Sequence, residues 1–83
     1  MDEQIKQIAE RLQGLREVLE LTAKDIARDC DISEEEYRLA ETGEFDISVS
    51  MLQKIARRYG VALDALMFGE EPKMSSYFLT RAG

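Results

Sequence analysis

The sequence predicts an all-α fold: five short helices followed by a short extended tail. Three observations predict it. Between Gln4 and Leu19 the apolar residues Ile5, Ile8, Leu12, Leu15 and Leu19 recur at spacings of 3, 4, 3 and 4, the period of one helical face. Thr22 with Asp25, and Ser33 with Glu36, each place a hydroxyl three positions ahead of an acid, the signature of a capped helix start. Gly43 and Gly60 each follow a short helical run, where a closing residue must adopt the left-handed conformation.

Helix 1 is the stripe from Gln4 to Leu19, its other faces carrying Lys6, Glu10, Arg11, Arg16, Glu17 and Glu20. Gly14 inside it costs up to about 1 kcal/mol relative to alanine, which suggests close packing there. Leu21 precedes the Thr22 cap and is expected to pair with Ile26 as a hydrophobic staple. Helix 2, roughly Ala23 to Cys30, turns Ile26, Ala27 and Cys30 inward, with Cys30 as a small core residue. Only Asp31 and Ile32 separate it from the second cap, so the next helix crosses at a steep angle. That is the geometry of a helix-turn-helix unit.

Helix 3 runs from about Glu34 to Thr42, with Tyr37 and Ala40 inward and Arg38 and Leu39 on the exposed side. In the following loop, Phe45 and Ile47 alternate with Glu44 and Asp46, as if both apolar side chains fold back on the core. Ser48 caps helix 4, about Val49 to Tyr59, which carries Leu52, Ile55, Ala56 and Tyr59 on one face. Its Lys54, Arg57 and Arg58 complement the helix dipole near the C-terminal end. Helix 5 is short, about Leu63 to Met67.

Two segments follow from this pattern: a domain over 1–69, and a linker with the start of a tail over 70–83. Glu70-Glu71-Pro72-Lys73 is polar and its proline discourages helix. Met74 to Thr80 is rich in aromatic and hydroxyl residues and has β character, suited to pairing with a second copy or to opening a further domain.

Composition narrows the function. A chain of 83 residues supports one core and buries only roughly 60% of its unfolded surface. With no histidine and the single Cys30, neither a zinc site nor an activated nucleophile is expected, so no catalytic residue, metal or cofactor is assigned and enzymatic function is not expected. No apolar run is long enough to span a membrane, and Met1-Asp2-Glu3 does not open a signal peptide. A cytoplasmic location is the expectation.

Taken together, LREVLELTAKDIARDCDISEEEYRLAETG and ISVSMLQKIARRYGVALDALM resemble the lambda-repressor-like, Cro-type (XRE) helix-turn-helix family of bacterial transcriptional regulators. The likeness runs from about Ile5 to Met67. It rests on Leu21-Thr22, Asp25-Ile26-Ala27, Ile32-Ser33, Glu41 with Gly43, Leu52 with Ile55-Ala56, and Gly60-Val61 before Leu63-Asp64-Ala65-Leu66. The resemblance implies a five-helix domain that binds double-stranded DNA, usually as a homodimer on paired half-sites, with helix 3 in the major groove. Carried over, base reading falls on Glu34, Glu35 and Leu39, with Ala23 and Lys24 near the backbone at the front of helix 2; on this reading Arg38 also faces the groove, Lys24, Arg28, Thr42 and Arg16 touch phosphate, and Ser33 joins the DNA-binding set. Glu41 is implied to bond within the motif. The tail is similar to the passage from such a domain into a cupin sensor barrel.

Charge opposes this reading. The chain carries eleven basic and seventeen acidic residues, a net charge of −6. From Ser33 to Asp46 there are six acids against Arg38 alone, a local charge of −5. Family members commonly place glutamine, serine, threonine or arginine where this chain has Glu34-Glu35-Glu36, and the usual tryptophan late in helix 3 is Ala40. DNA carries about one negative charge per 1.7 Å of axis, and an acidic probe forfeits the attraction. The alternative is therefore an acidic helix 3 that meets a protein partner or mediates dimerisation.

Overall fold

The computed structural model describes residues 3–69. Five helices follow one another: α1 (Glu3–Val18), α2 (Ala23–Cys30), α3 (Glu34–Thr42), α4 (Val49–Tyr59) and α5 (Leu63–Phe68). Among the described residues there is no strand, and no helix is long and apolar enough to cross a membrane. The expected extended segment, its dimer pairing and its likeness to a cupin passage all lie outside the described residues.

One core joins all five helices. Leu12, Ile26, Tyr37, Leu52 and Ile55 are fully buried, and Ile8, Cys30, Ala40, Met51, Ala56 and Leu66 complete the cluster. Each helix contributes at its own period, so the amphipathic pattern read from the sequence is the packing itself. A truncation such as Leu12→Ala removes several buried carbons at the centre, a class of change that costs about 2–5 kcal/mol. Leu21 and Ile32 pack partly buried against the same cluster, the one beneath the α2 cap and the other plugging the turn.

Several expectations need correction. The α1 stripe turns inward at Ile8, Ala9 and Leu12, whereas Leu19 lies beyond the helix end and is 37% exposed. The chain turns there through Glu20, whose φ of 59° is left-handed, so Leu19 leaves the helical period before it can reach the core. Gly14 meets nothing within 4 Å of where a Cβ would stand, so close packing does not explain it. Phe45 does not fold back; it is 49% exposed, while Ile47 does pack on the core. Finally, α5 continues one residue further than expected, to Phe68.

Gly43 shows what the helix ends ask of glycine. It closes α3 at φ 77°, and an added Cβ would lie 3.5 Å from the Lys6 backbone of α1. That separation is ordinary contact, so what the position demands of the residue is the left-handed conformation.

Candidate nucleic-acid interface

The α2–α3 unit is fixed at three points. At its entrance Thr22 makes a full capping box: its Oγ1 accepts from the Asp25 amide at 3.1 Å, and Asp25 accepts from the Thr22 amide at 2.9 Å. That backbone bond, aided by the Thr22 side chain, lowers the Asp25 carboxyl below its ordinary value. In the middle, Asp31 takes a left-handed conformation, φ 59°, and its amide and that of Ile32 both return to the Ala27 carbonyl. Ser33 then starts α3, its Oγ accepting from the Glu36 amide at 3.2 Å.

Here the second expected capping box is only half formed. Ser33 caps Glu36, but among the described residues the Glu36 carboxylate does not return to the Ser33 amide. Glu36 instead borders an apolar notch of about 140 Å³ lined also by Leu39, Phe45 and Met51. The hydroxyl–acid spacing that gives a reciprocal pair in α2 gives a one-sided cap in α3.

Beneath the unit, Tyr37 is fully buried and its hydroxyl donates to the Leu12 carbonyl of α1 at 3.4 Å. Burial above all, with the neighbouring Glu41 carboxylate, pushes this hydroxyl well above the ordinary tyrosine range, so it stays protonated. Arg16 of α1 holds Glu41 of α3 through two bonds, Nε to Oε2 at 2.7 Å and Nη2 to Oε1 at 3.1 Å. The hydrogen bond to Glu41 raises the Arg16 pKa. Gln13 adds a bond from its Nε2 to the Glu41 carbonyl at 2.9 Å. The Glu41 carboxylate thus bonds to α1 rather than within the α2–α3 unit, and Arg16 is engaged with it rather than turned toward a phosphate.

Nine of the ten residues singled out from the sequence lie on α2, α3 and the turn between them, the tenth being Arg16 of α1. None is buried: Lys24, Arg28, Ser33, Glu35, Arg38, Leu39 and Thr42 are exposed, and Ala23 and Glu34 are half-buried. An open cleft of about 340 Å³ brings Ala23 and Arg38 together with Arg16, Thr22 and Glu41. The first-turn amides of Ala23 and Lys24 lie ahead of the intrahelical ladder, at the positive end of the α2 dipole.

Many of the charges on this side are already engaged. Arg38 grips Glu34 one turn back, Nε to Oε2 at 2.9 Å, so the two largely cancel. Arg28 lies between Asp25 at 3.3 Å and Asp29 at 3.4 Å. Thr42 spends its hydroxyl on the end of α3, donating to the Leu39 carbonyl at 2.7 Å and accepting from the Glu44 amide at 3.2 Å. Lys24 makes no ion pair among the described residues, nor do Glu35, Glu36, Glu44 and Asp46.

Sequence reasoning missed two supports. Tyr59 of α4 donates to Asp29 of α2 at 3.0 Å, with Arg58 close to the same carboxylate at 3.9 Å. Arg11 of α1 donates to the last carbonyls of α5, Leu66 at 3.1 Å and Met67 at 2.9 Å. The second was foreshadowed by an arginine on the polar side of helix 1, but its target is a helix end that no local pattern identifies. Among the described residues no group of three or more His, Cys, Asp or Glu side chains is placed to hold a metal ion.

Two short capped helices crossing at a tight turn, with the second exposed along its outer side, define a helix-turn-helix domain. A family model described as Helix-turn-helix matches residues 12–66, and the chain belongs to that family of XRE-type, DNA-binding regulators. No curated protein and no solved structure matches the chain.

Proposed function

We propose that this domain is the sequence-specific DNA-binding part of a bacterial transcriptional regulator, with α3 as its recognition helix. The observation that supports it best is the placement of the outward residues. Glu34, Glu35, Arg38 and Leu39 lie along one exposed side of α3, and Ala23 and Lys24 stand at the front of α2, beside the cleft that Arg38 borders. A helix docked in the major groove uses that arrangement: side chains of α3 reach base edges while the start of α2 meets the phosphate backbone. Paired half-sites bound by a homodimer are part of the same proposal.

The acidic surplus favours a second reading, in which α3 docks a basic protein surface. Glu35, Glu36, Glu44 and Asp46 stand without ion pairs among the described residues, next to the exposed Leu39 and Phe45. Electrophoretic mobility shift against genomic fragments at low salt separates the two. A shifted fragment that Lys24→Ala and Arg38→Ala weaken supports DNA recognition. Absence of any shift, with a basic protein retained in a manner that charge reversal at Glu35 and Glu36 abolishes, favours the second.

A further inference from the structure

Of the side chains on the outer side of α3, few are at liberty to read a base. Glu34 and Arg38 hold each other in an exposed pair at 2.9 Å, so either reaches a base only by giving up its partner. Thr42 has its hydroxyl turned back to the helix end. Glu36 lies on the side facing Phe45 and Met51. What remains is Glu35, exposed and without an ion pair among the described residues, and Leu39 one turn further on, 39% exposed. The chemistry on offer is one pure acceptor and one apolar group.

Resting on the DNA-binding reading above, we propose that Glu35 determines specificity by accepting from the N4 amino group of a cytosine, with Leu39 packed on the methyl of a nearby thymine. An ionised carboxylate accepts and cannot donate. In the major groove only cytosine N4 and adenine N6 donate. On adenine the donor stands beside the N7 acceptor, whose lone pair repels a second carboxylate oxygen; on cytosine it stands beside a C–H. Guanine and thymine present acceptors at the corresponding edge and repel the carboxylate. Leu39 lies four residues along, a rise of about 6 Å, which puts its contact one or two base pairs from that of Glu35.

This assignment also gives the negative charge a use. A carboxylate on the recognition helix weakens attachment to every sequence through phosphate repulsion, and the loss is offset only where a cytosine amino group meets it. The gap between right and wrong sites widens although the affinity for each falls.

The test is selection from randomised duplexes at low salt by the full chain, unmodified and as Glu35→Gln, with circular dichroism confirming that both fold. The unmodified chain is expected to return a fixed cytosine, and replacing it by thymine in the selected site to weaken binding roughly 5–150-fold. Glu35→Gln, which can donate as well as accept, is expected to move that position to adenine. A Glu35→Gln consensus that keeps the cytosine, or an unmodified consensus without one, overturns the assignment while leaving DNA binding intact. Enrichment by neither protein overturns the DNA-binding reading and this assignment with it. Were Glu35 merely complementing the helix dipole, the substitution would shift the melting temperature and leave the consensus unchanged.

Discussion

Arg16 and Glu41, twenty-five residues apart in sequence, face each other across α1 and α3 in a two-point ion pair of 2.7 and 3.1 Å, with side chains only 26% and 13% exposed. Two parallel bonds fix both distance and angle, which a lysine in place of Arg16 cannot do. The pair sets how far α3 stands from α1.

Glu41→Gln is therefore expected to destabilise the domain by about 1–3 kcal/mol, since it leaves a partly buried guanidinium without its counter-charge. Urea unfolding followed by circular dichroism measures it. A midpoint unchanged from that of the unmodified chain would mean that the pair is no more than a surface contact.

The cap of α2 is tied to pH. Asp25 is held below its ordinary carboxylate value by the Thr22 amide and hydroxyl. Its contribution is thus fully present above the unfolded value of about 3.9, and is lost as pH falls through the lower folded value. Thermal midpoints of the unmodified chain and Asp25→Ala should differ near neutrality and converge in acid. A difference that persists at the most acid pH would assign the effect to packing instead.

Attachment to DNA should depend weakly on salt. Lys24, Arg28 and Arg38 are the cations on the proposed face, and the last two already hold carboxylates. Each phosphate neutralised contributes about −0.9 to the slope of log affinity against log salt, so the slope should be no steeper than roughly −3 per bound domain. Lys24→Ala should flatten it by about 1, whereas Arg57→Ala, on α4 outside the α2–α3 unit, should not.

Glu20 closes α1 with φ 59°, a conformation that costs most residues roughly 1–2 kcal/mol and glycine little. Its side chain is exposed. Glu20→Gly should raise stability by about 0.5–1 kcal/mol, seen as a melting temperature a few degrees higher. A lower melting temperature would show that the Glu20 side chain contributes more than its backbone conformation costs.

These features were unequally legible in the sequence. The helix starts at Thr22, Ser33 and Ser48 and the closures at Gly43 and Gly60 are local events, encoded within three or four residues, and they were read in place. Inward positions such as Tyr37, Leu52 and Ile55 follow from period alone. What could not be read was long-range pairing: nothing near Arg11 names the end of α5, and nothing near Tyr59 shows that its hydroxyl will donate to Asp29 of α2. The partly closed cap at Ser33 was missed because spacing defines the opportunity for a bond, while the competing notch beside Phe45 comes only with tertiary structure. Among the candidate site residues, exposure was legible, and so in principle was the pairing of Glu34 with Arg38 four residues on, which the sequence reading passed over.

Arg11 clasps the carboxyl end of α5, with its guanidinium so close to Gly69 that a Cβ there would collide with it at 2.6 Å. The same helix that takes this grip on α5 also holds α3 through Arg16, so α1 is a spine clamped at two places along its length. Loosening either clamp leaves the other to keep α1 seated.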